Sequence, residues 1–314
     1  MSESIRLTFP EGKDLDAVGF GTNAVDFLIN VPQYPTYNSK VEISSYVQAA
    51  GGEISSTMAG LSRLGLKTAY IGRFGDDIAG DIGIRSLEDD GVDITYAERV
   101  KGADTQIGFI VIDERTGERT VLWRRDAALS YMPGEAPLDA ARRCRVLHMT
   151  QHDVSACVEM AEAAHDAGAL VSLDVDNVVD GIDRLLGCVD IFVSSEEFPV
   201  RLTGENDLES ALKTIAGQYK CKATCATLGV SGSIMLVDGE LIRTRGFEVP
   251  GGCKDTTGAG DAFRTGLLYG LLSGRPVADA ARMANAVAAL KCRSVGARNS
   301  LPNVEQLTTF LKNV

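Results

Sequence analysis

Short apolar segments alternate with longer stretches of helical spacing over most of the 314 residues of this chain. Segments of strand length at 146–149, 170–174 and 223–228 lie beside amphipathic stretches at 156–167 and 207–218. Strands that are joined through helices run parallel, and the helices then cover both faces of the sheet. The pattern predicts an α/β fold in which a mostly parallel sheet lies between two layers of helices.

Two regions with a strand pattern have no helix of their own. Residues 41–47 alternate at period two, and residues 105–123 form two apolar runs around a turn at 114–117. They predict a small second sheet, formed by about residues 32–51 and 94–125, that acts as a lid. We expect the lid and the main sheet to form one domain over residues 1–314.

The charge balance excludes two classes of partner. The chain carries 31 Lys and Arg residues against 43 Asp and Glu residues, which gives a net charge of −12. Nucleic acids and anionic membranes recruit clusters of basic residues, and the sequence has none. No apolar run approaches the roughly 18 residues that a membrane-spanning helix needs. We therefore expect neither nucleic acid nor a membrane as a partner.

The cysteine pattern indicates a redox compartment. The seven cysteines are odd in number and irregularly spaced, and residues 1–16 lack the apolar segment of a secretory signal. Scattered cysteines of this kind are typical of reduced thiols. We expect a cytoplasmic protein without disulfides.

The segment DTTGAGD at 255–261 carries the strongest chemical signal. An apolar helix pattern follows it, so the N–H groups of Gly258, Ala259 and Gly260 are expected to be unpaired donors at a helix N-terminus. Such a terminus carries partial positive charge and suits a phosphate. Asp261, in the first turn, suits a general base that activates a hydroxyl for attack on phosphorus. A helix-capping role alone would explain Asp261 but not the glycines before it.

These residues are part of a larger set whose order and spacing resemble the ribokinase-like (PfkB) carbohydrate kinases. The resemblance spans about residues 18–302. Within the family, the chain has a weaker resemblance to the ketohexokinase and fructokinase members. The motifs that carry it are Gly51-Gly52, Arg63-Leu64-Gly65, Gly72-x-x-Gly75-Asp76-Asp77-x-x-Gly80, Thr227-x-Gly229-x-x-Gly232 and the 255–261 segment. The resemblance implies a ribokinase-like three-layer α/β/α core with a β-sheet lid. It also implies ATP-dependent phosphorylation of a hydroxyl of a small sugar or sugar acid.

The resemblance assigns roles at the reacting end of the site. Asp261 would be the general base that deprotonates the acceptor hydroxyl. Gly258, Ala259 and Gly260 would form the anion hole for the γ-phosphate of ATP. Arg264, three residues after Asp261, either faces the phosphate or is a solvated helix residue.

The implied sugar site lies earlier in the chain. Asp26 would accept hydrogen bonds from sugar hydroxyls, because carboxylates make strong ones, although a capping or surface aspartate is the alternative. Gly51 and Gly52 would let the sugar lie against bare backbone, and a simple turn would also explain them. Ser56 stands where the family usually has an asparagine that contacts the sugar, so the substrate contact is expected to differ.

The implied nucleotide site combines a loop and a helix. A glycine loop after a strand would lie beside the phosphates, together with the anion hole, and the penultimate helix would border the adenine. The residues are Thr227, Gly229 and Gly232 in the loop, and Ala284, Asn285 and Ala288 on the helix. Hairpin glycines and small helix-packing residues are the structural alternatives.

Two cations are also implied by the resemblance. Mg2+ would accompany ATP, but the family's Asn-x-x-Glu motif is here SEEF at 195–198. Phe198 takes the glutamate position, and Glu197, one place earlier, is the candidate ligand. A monovalent cation such as K+ would lie behind the anion hole, held mostly by backbone carbonyls of Asp255, Thr257, Ser294, Gly296 and Ser300. Asp255 could instead cap a turn.

Two other functions are compatible with the same sequence. A nucleoside kinase of the same fold would show aromatic side chains around the acceptor site. A catalytically silent sugar- or nucleotide-binding regulator is motivated by Ser56 and Phe198. In either case, the alternating lid strands have one apolar face that must be covered, which predicts a homodimer through the lid.

Overall fold

The computed structural model describes residues 5–314. Residues 1–4, which belong to the predicted domain and to the segment predicted to lack a secretory signal, lie outside the described range. The strands are β1 (Leu15–Phe20), β2 (Ala24–Val31), β3 (Ser45–Gly51), β4 (Thr68–Gly75), β5 (Ala97–Val100), β6 (Ile107–Asp113), β7 (Arg119–Arg124), β8 (Cys144–Thr150), β9 (Leu170–Val175), β10 (Ile191–Ser195), β11 (Ala223–Thr227), β12 (Ser233–Val237) and β13 (Glu240–Thr244). The helices are α1 (Glu53–Arg63), α2 (Ile78–Asp89), α3 (Leu138–Arg142), α4 (Val154–Asp166), α5 (Ile182–Leu186), α6 (Glu197–Thr203), α7 (Leu208–Tyr219), α8 (Ala259–Leu272), α9 (Val277–Lys291) and α10 (Val304–Lys312).

Within the described range, a nine-stranded sheet has the order β13-β12-β11-β10-β9-β8-β1-β4-β5. The strands from β11 to β5 in this order run parallel. At the other edge, β12 and β13 form an antiparallel hairpin. All six residues of β9 are buried, as expected for a strand covered on both faces. The predicted mostly parallel sheet is therefore confirmed.

Helices cover both faces of this sheet. On one face, Met160 of α4 and Leu212 of α7 join a hydrophobic cluster with the strands. On the other face, Met58 of α1 and Leu267 of α8 join a second cluster. All four side chains are fully buried, so each helix hides its apolar stripe against the sheet. The result is the predicted three-layer α/β/α core. Among the described residues, every helix is too short or too polar to span a lipid bilayer.

A second sheet of four strands, in the order β3-β2-β6-β7, forms the lid. Strands β2 and β6 run parallel, and the two outer pairs are antiparallel. Its boundaries differ from the predicted ranges. Residues 24–31 belong to the lid, whereas residues 32–44 form no strand, and β5 pairs with β4 in the large sheet.

The difference arises at a short turn. Strand β1 ends at Phe20 and β2 begins at Ala24, so one apolar run contains two strands. The chain bends at Gly21, whose φ is 152°, and the two strands then enter different sheets. A pattern of alternating side chains shows that a segment is a strand but not which sheet it joins.

Candidate active site

A cavity of about 510 Å3 lies between the lid and the carboxyl ends of the parallel strands. Loops that follow parallel strands meet at this edge, which is where α/β sheets of this kind hold ligands. Strands β2, β6 and β7 supply one wall, and the N-terminus of α8 supplies part of the other. Charged side chains that line the cavity are Asp26, Glu53, Arg119, Asp174, Asp176, Asp261 and Arg264.

The predicted anion hole lies in this cavity, with one change. Gly258 precedes α8 with a φ of 75°, and Gly258 and Gly260 both line the cavity. The N–H group of Ala259 instead donates to the carbonyl of Thr256 at 3.1 Å. Ala259 is therefore not an unpaired donor, because the turn before the helix uses its amide. The donors available to an anion are those of the two glycines.

Asp261 lies at the floor of the same cavity. No side chain caps the start of α8, so capping does not explain this aspartate. Burial raises its pKa to about 7, and the nearby carboxylate of Glu53 adds to the rise. The guanidinium of Arg264 opposes the shift. A carboxyl group with a pKa near neutrality is suited to accept and release a proton.

Arg264 is a cavity residue rather than a solvated one. It is 6% exposed and forms an ion pair with Asp174, which is 7% exposed. Burial raises the pKa of Asp174 well above its usual value, and Arg264 opposes this. A side chain built at Gly260 would have its Cβ 2.7 Å from Nη1 of Arg264. The glycine thus allows the guanidinium to lie against the start of α8.

Asp26 lies on β2, at the lid side of the cavity, and is 8% exposed. A Cβ at Gly51 would be 2.0 Å from its Oδ2, and a Cβ at Gly108 would be 2.7 Å from its Oδ1. The two glycines therefore make room for the carboxylate. Burial raises the pKa of Asp26 to about 6, against the effect of Arg298. The alternative of a surface aspartate is excluded.

Gly52 also lines the cavity, at the start of α1. Its φ is 89°, and a Cβ there would lie 2.4 Å from the Cα of Asn23. Gly52 is thus required by the close approach of two backbones. Glu53 follows it, and its Oε2 accepts a hydrogen bond from Thr22 Oγ1 at 2.7 Å.

Ser56 has a different environment from the one expected. It is 1% exposed and does not line the cavity, and its Oγ accepts a hydrogen bond from Arg298 Nε at 3.1 Å. Nη2 of Arg298 also donates to the carbonyl of Gly51 at 2.6 Å. Ser56 therefore supports a buried arginine behind the glycine pair. Nothing in the sequence around Arg298 points to this role.

The predicted nucleotide residues do not all reach the cavity. Thr227, at the end of β11, lines it. Gly232 belongs to the turn before β12, where a Cβ would lie 2.1 Å from the carbonyl oxygen of Thr244. Gly229 is exposed, with open space around it.

The helix residues behave as packing residues. Ala284 lies against Gly266, where a Cβ would be 2.6 Å from the Cα of the alanine. Asn285 is 6% exposed and donates to Ser233 Oγ at 3.0 Å. Ala288 is half-buried. None of the three lines the cavity. Their contacts are those of small residues that pack one helix against its neighbours.

The candidate magnesium ligand Glu197 is exposed at the start of α6 and does not line the cavity. Phe198 is fully buried, with its ring 6.0 Å from that of Phe192. The helix start is therefore anchored in the core instead of the site. The carboxylates of Asp174, near the end of β9, and of Asp176, directly after it, also line the cavity, and the sequence patterns did not single them out. Their place at the carboxyl end of a predicted strand was a usable signal.

The predicted monovalent-cation ligands cluster, but they do not fit a bound ion. Asp255 is fully buried, and its two carboxylate oxygens accept from the N–H groups of Thr257 and Gly296, each at 2.8 Å. Nζ of Lys291 donates to the carbonyl oxygen of Asp255 at 2.9 Å. A second cation at this carbonyl would lie beside an ammonium group of the same charge. The carboxylate of Asp255 therefore caps a turn, which was the alternative to a cation ligand.

The hydroxyls of the predicted set are engaged as well. Ser294 Oγ donates to Ser300 Oγ at 2.7 Å, and Ser300 Oγ donates to the carbonyl of Lys291 at 2.6 Å. Among the described residues, no group of three or more His, Cys, Asp or Glu side chains is arranged to hold a metal.

Comparisons with known proteins find relatives that are named as kinases. A 2-dehydro-3-deoxygluconokinase from Bacillus subtilis is 28% identical, over 95% of this chain and 95% of its own. A nucleoside kinase from Methanothermobacter thermautotrophicus is 26% identical, over 93% of this chain and 94% of its own.

The fold has close counterparts among solved structures. Arabidopsis thaliana ribokinase, solved with ribose and ATP, superposes with a TM-score of 0.82 at 24% identity, over 95% of this chain and 99% of that one. The model of the family described as pfkB family carbohydrate kinase matches residues 15–304. Since that match covers nearly the whole chain, this protein belongs to the pfkB family of carbohydrate kinases.

Proposed function

We propose that this kinase transfers the γ-phosphoryl group of ATP to a hydroxyl of a small sugar or sugar acid. The observation that carries the proposal is the placement of Asp261 beside the cavity-facing glycines 258 and 260 at the start of α8. A base and an anion-binding helix terminus in one cavity are the two parts that phosphoryl transfer to a hydroxyl requires.

In the proposed reaction, the carboxylate of Asp261 accepts the proton of the acceptor hydroxyl as its oxygen attacks phosphorus. Its raised pKa of about 7 makes the base strong enough for this while leaving much of it ionised at neutral pH. The N–H groups of Gly258 and Gly260 bind the negative charge on the transferred group. Arg264, in the same cavity, adds positive charge close to that point.

The sugar is proposed to lie between the lid and α1. Asp26 has no hydrogen-bond partner for its carboxylate oxygens among the described residues, although it is 8% exposed and faces the cavity. Two sugar hydroxyls would satisfy these oxygens. Arg119 of the lid donates to Thr256 Oγ1 at 2.5 Å, so the lid contacts the loop before the anion hole. We propose that the lid excludes water from the reacting atoms when the sugar is bound.

The nucleotide is proposed to run from the glycine amides past Thr227 towards Gly229, where the surface is open. Asp176 lines this side of the cavity, and its carboxylate fits Mg2+, which binds through few carboxylates together with phosphate oxygens and water. When bound with ATP, Mg2+ would neutralise phosphate charge. Asn177 donates to Asp176 Oδ1 at 3.0 Å and orients that carboxylate.

A nucleoside acceptor is the second candidate. Trp123 of the lid lines the cavity and is 63% exposed, which leaves its ring free to stack on a base. By contrast, Ser56 and Phe198 lie outside the cavity and no longer favour a catalytically silent binder.

The outer face of the lid supports the proposed homodimer. Phe27 stacks on Tyr46 and on Phe109, with ring centroids 6.0 and 4.9 Å apart. Tyr46, Phe109 and the neighbouring Leu122 are 51%, 41% and 59% exposed. A second lid would cover this apolar patch. The seven cysteines are all unpaired, which is consistent with the proposed cytoplasmic location.

The test is a screen of ATP consumption against sugars, sugar acids and nucleosides. We expect a sugar or sugar acid to give the highest kcat/KM, and Asp261→Asn to lower turnover with it by at least about a hundredfold. Asp166→Asn, an exposed change at the end of α4, is the matched control and should leave turnover unchanged. Nucleosides as the best acceptors would favour the second candidate. Equal turnover in wild type and Asp261→Asn would overturn the role of the base.

A further inference from the structure

Lys291 is the last residue of α9, and its side chain is fully buried. A lysine at a helix C-terminus normally extends into solvent, where it interacts with the helix dipole. Here the ammonium group turns inward to the carbonyl oxygen of Asp255, 2.9 Å away, and lies 3.8 Å from Oδ2 of the same residue. A buried ammonium group is costly unless it is paired, so this position is held by specific partners.

Those partners belong to the loop that leads to the anion hole. The carboxylate of Asp255 also accepts from the N–H groups of Thr257 and Gly296. Gly258 packs against Ala297, the residue after Gly296, because a Cβ at Gly258 would be 2.8 Å from Cβ of Ala297. The ammonium group therefore adds a positive charge at the junction of two loops, one of which presents the amide of Gly258 to the cavity.

We propose that the ammonium group of Lys291 takes the place of a monovalent cation behind the anion hole, so that the protein requires neither K+ nor Na+. An ammonium group and a potassium ion carry the same charge and are similar in size, and both bind carbonyl oxygens. Lys291 is a positioning residue, since it acts through the 255–258 loop and touches no reacting atom. The effect of Lys291 on catalysis rests on the proposed function. The replacement of a bound cation by the ammonium group does not, because it can be measured in the absence of turnover.

The experiment measures melting temperature in KCl against tetramethylammonium chloride at equal ionic strength. Three proteins are compared: wild type, Lys291→Ala, which removes the ammonium group together with three methylene groups, and Lys291→Met, which keeps most of that volume filled without charge. We expect wild type and Lys291→Met to show no K+-specific shift. Lys291→Ala should melt at a lower temperature and regain roughly 2–4 °C when K+ is about ten times its dissociation constant.

A K+-specific stabilisation of wild type would overturn the proposal, and so would a folded Lys291→Ala that shows no response to K+. If Lys291→Ala does not fold, wild type alone decides the question through the same titration. In parallel, wild-type turnover should change less than about twofold between the two salts, and a tenfold activation by K+ would contradict the proposal. The two tests are independent. If wild type lacks sugar kinase activity but the melting temperatures behave as expected, the proposed function fails and this inference stands.

Discussion

Arg264 and Asp174 form a buried ion pair across the cavity, with Arg264 on α8 and Asp174 near the end of β9. The pair joins the helix that begins at the proposed anion hole to the carboxyl end of β9 in the large sheet. Because Arg264 also lowers the pKa of Asp261, one guanidinium serves both the structure of the cavity and the protonation of the proposed base.

Breaking that pair should destabilise the protein. Arg264→Met leaves Asp174 buried without its partner, and we expect the free energy of unfolding to fall by about 3–5 kcal/mol. The double variant Arg264→Met with Asp174→Asn removes the unpaired charge and should recover part of the loss. Urea denaturation of the three proteins measures both effects. A loss below about 1 kcal/mol in the single variant would contradict this expectation and would mean that Asp174, whose pKa burial raises, takes up a proton at little cost.

The pH dependence of turnover should follow Asp261. Its raised pKa of about 7 means that the base is protonated, and thus inactive, at acid pH, so kcat/KM should fall below pH 7. Glu53 raises this pKa, and Glu53→Gln should therefore move the acid limb of the profile to lower pH. Glu88→Gln, an exposed change on α2, is the control and should not move it. An acid limb unchanged by Glu53→Gln would mean that another group controls the profile.

The space around Asp26 should depend on Gly51. A Cβ at Gly51 would lie 2.0 Å from Oδ2 of Asp26, so Gly51→Ala should displace the carboxylate. We expect the KM for the acceptor to rise about tenfold or more, which corresponds to losing one hydrogen bond to a charged group. Calorimetric titration with the acceptor would give the same change in affinity.

Gly217→Ala provides the matched control for that variant. Gly217 is on α7, and a Cβ there has nothing within 4 Å. Its activity should match wild type, with stability raised by up to about 1 kcal/mol. Unchanged acceptor affinity in Gly51→Ala would show that Asp26 does not bind the acceptor.

The lid should carry the dimer contact. Light scattering during size-exclusion chromatography at micromolar concentration should give twice the mass of one chain. Replacing Tyr46 and Phe109 together with lysine should give the monomer mass, because the added charges cannot be buried in an apolar interface. A wild-type monomer under these conditions would exclude the lid dimer.

Sequence patterns predicted the layers of this fold because the parallel strands are buried on both faces and the helices on one. They located the lid only approximately, because β2 and β1 lie in one apolar run and differ in the sheet that they join. Similarly, the loop of Gly229 and Gly232 was visible in the sequence, but its turn geometry and the open space beside it came from the structure.

The local part of the site could be predicted from the amino-acid sequence: the glycines and Asp261 at the start of α8 are adjacent in the chain, so their spacing already places a carboxylate beside backbone amides. The groups that surround them are brought there by folding. Lys291, Arg298 and Asp174 lie far along the chain from the residues that they contact. Their charges come close to their partners only in the folded protein. Electrostatic and packing interactions depend on separation in space, whereas a sequence motif records only separation along the chain.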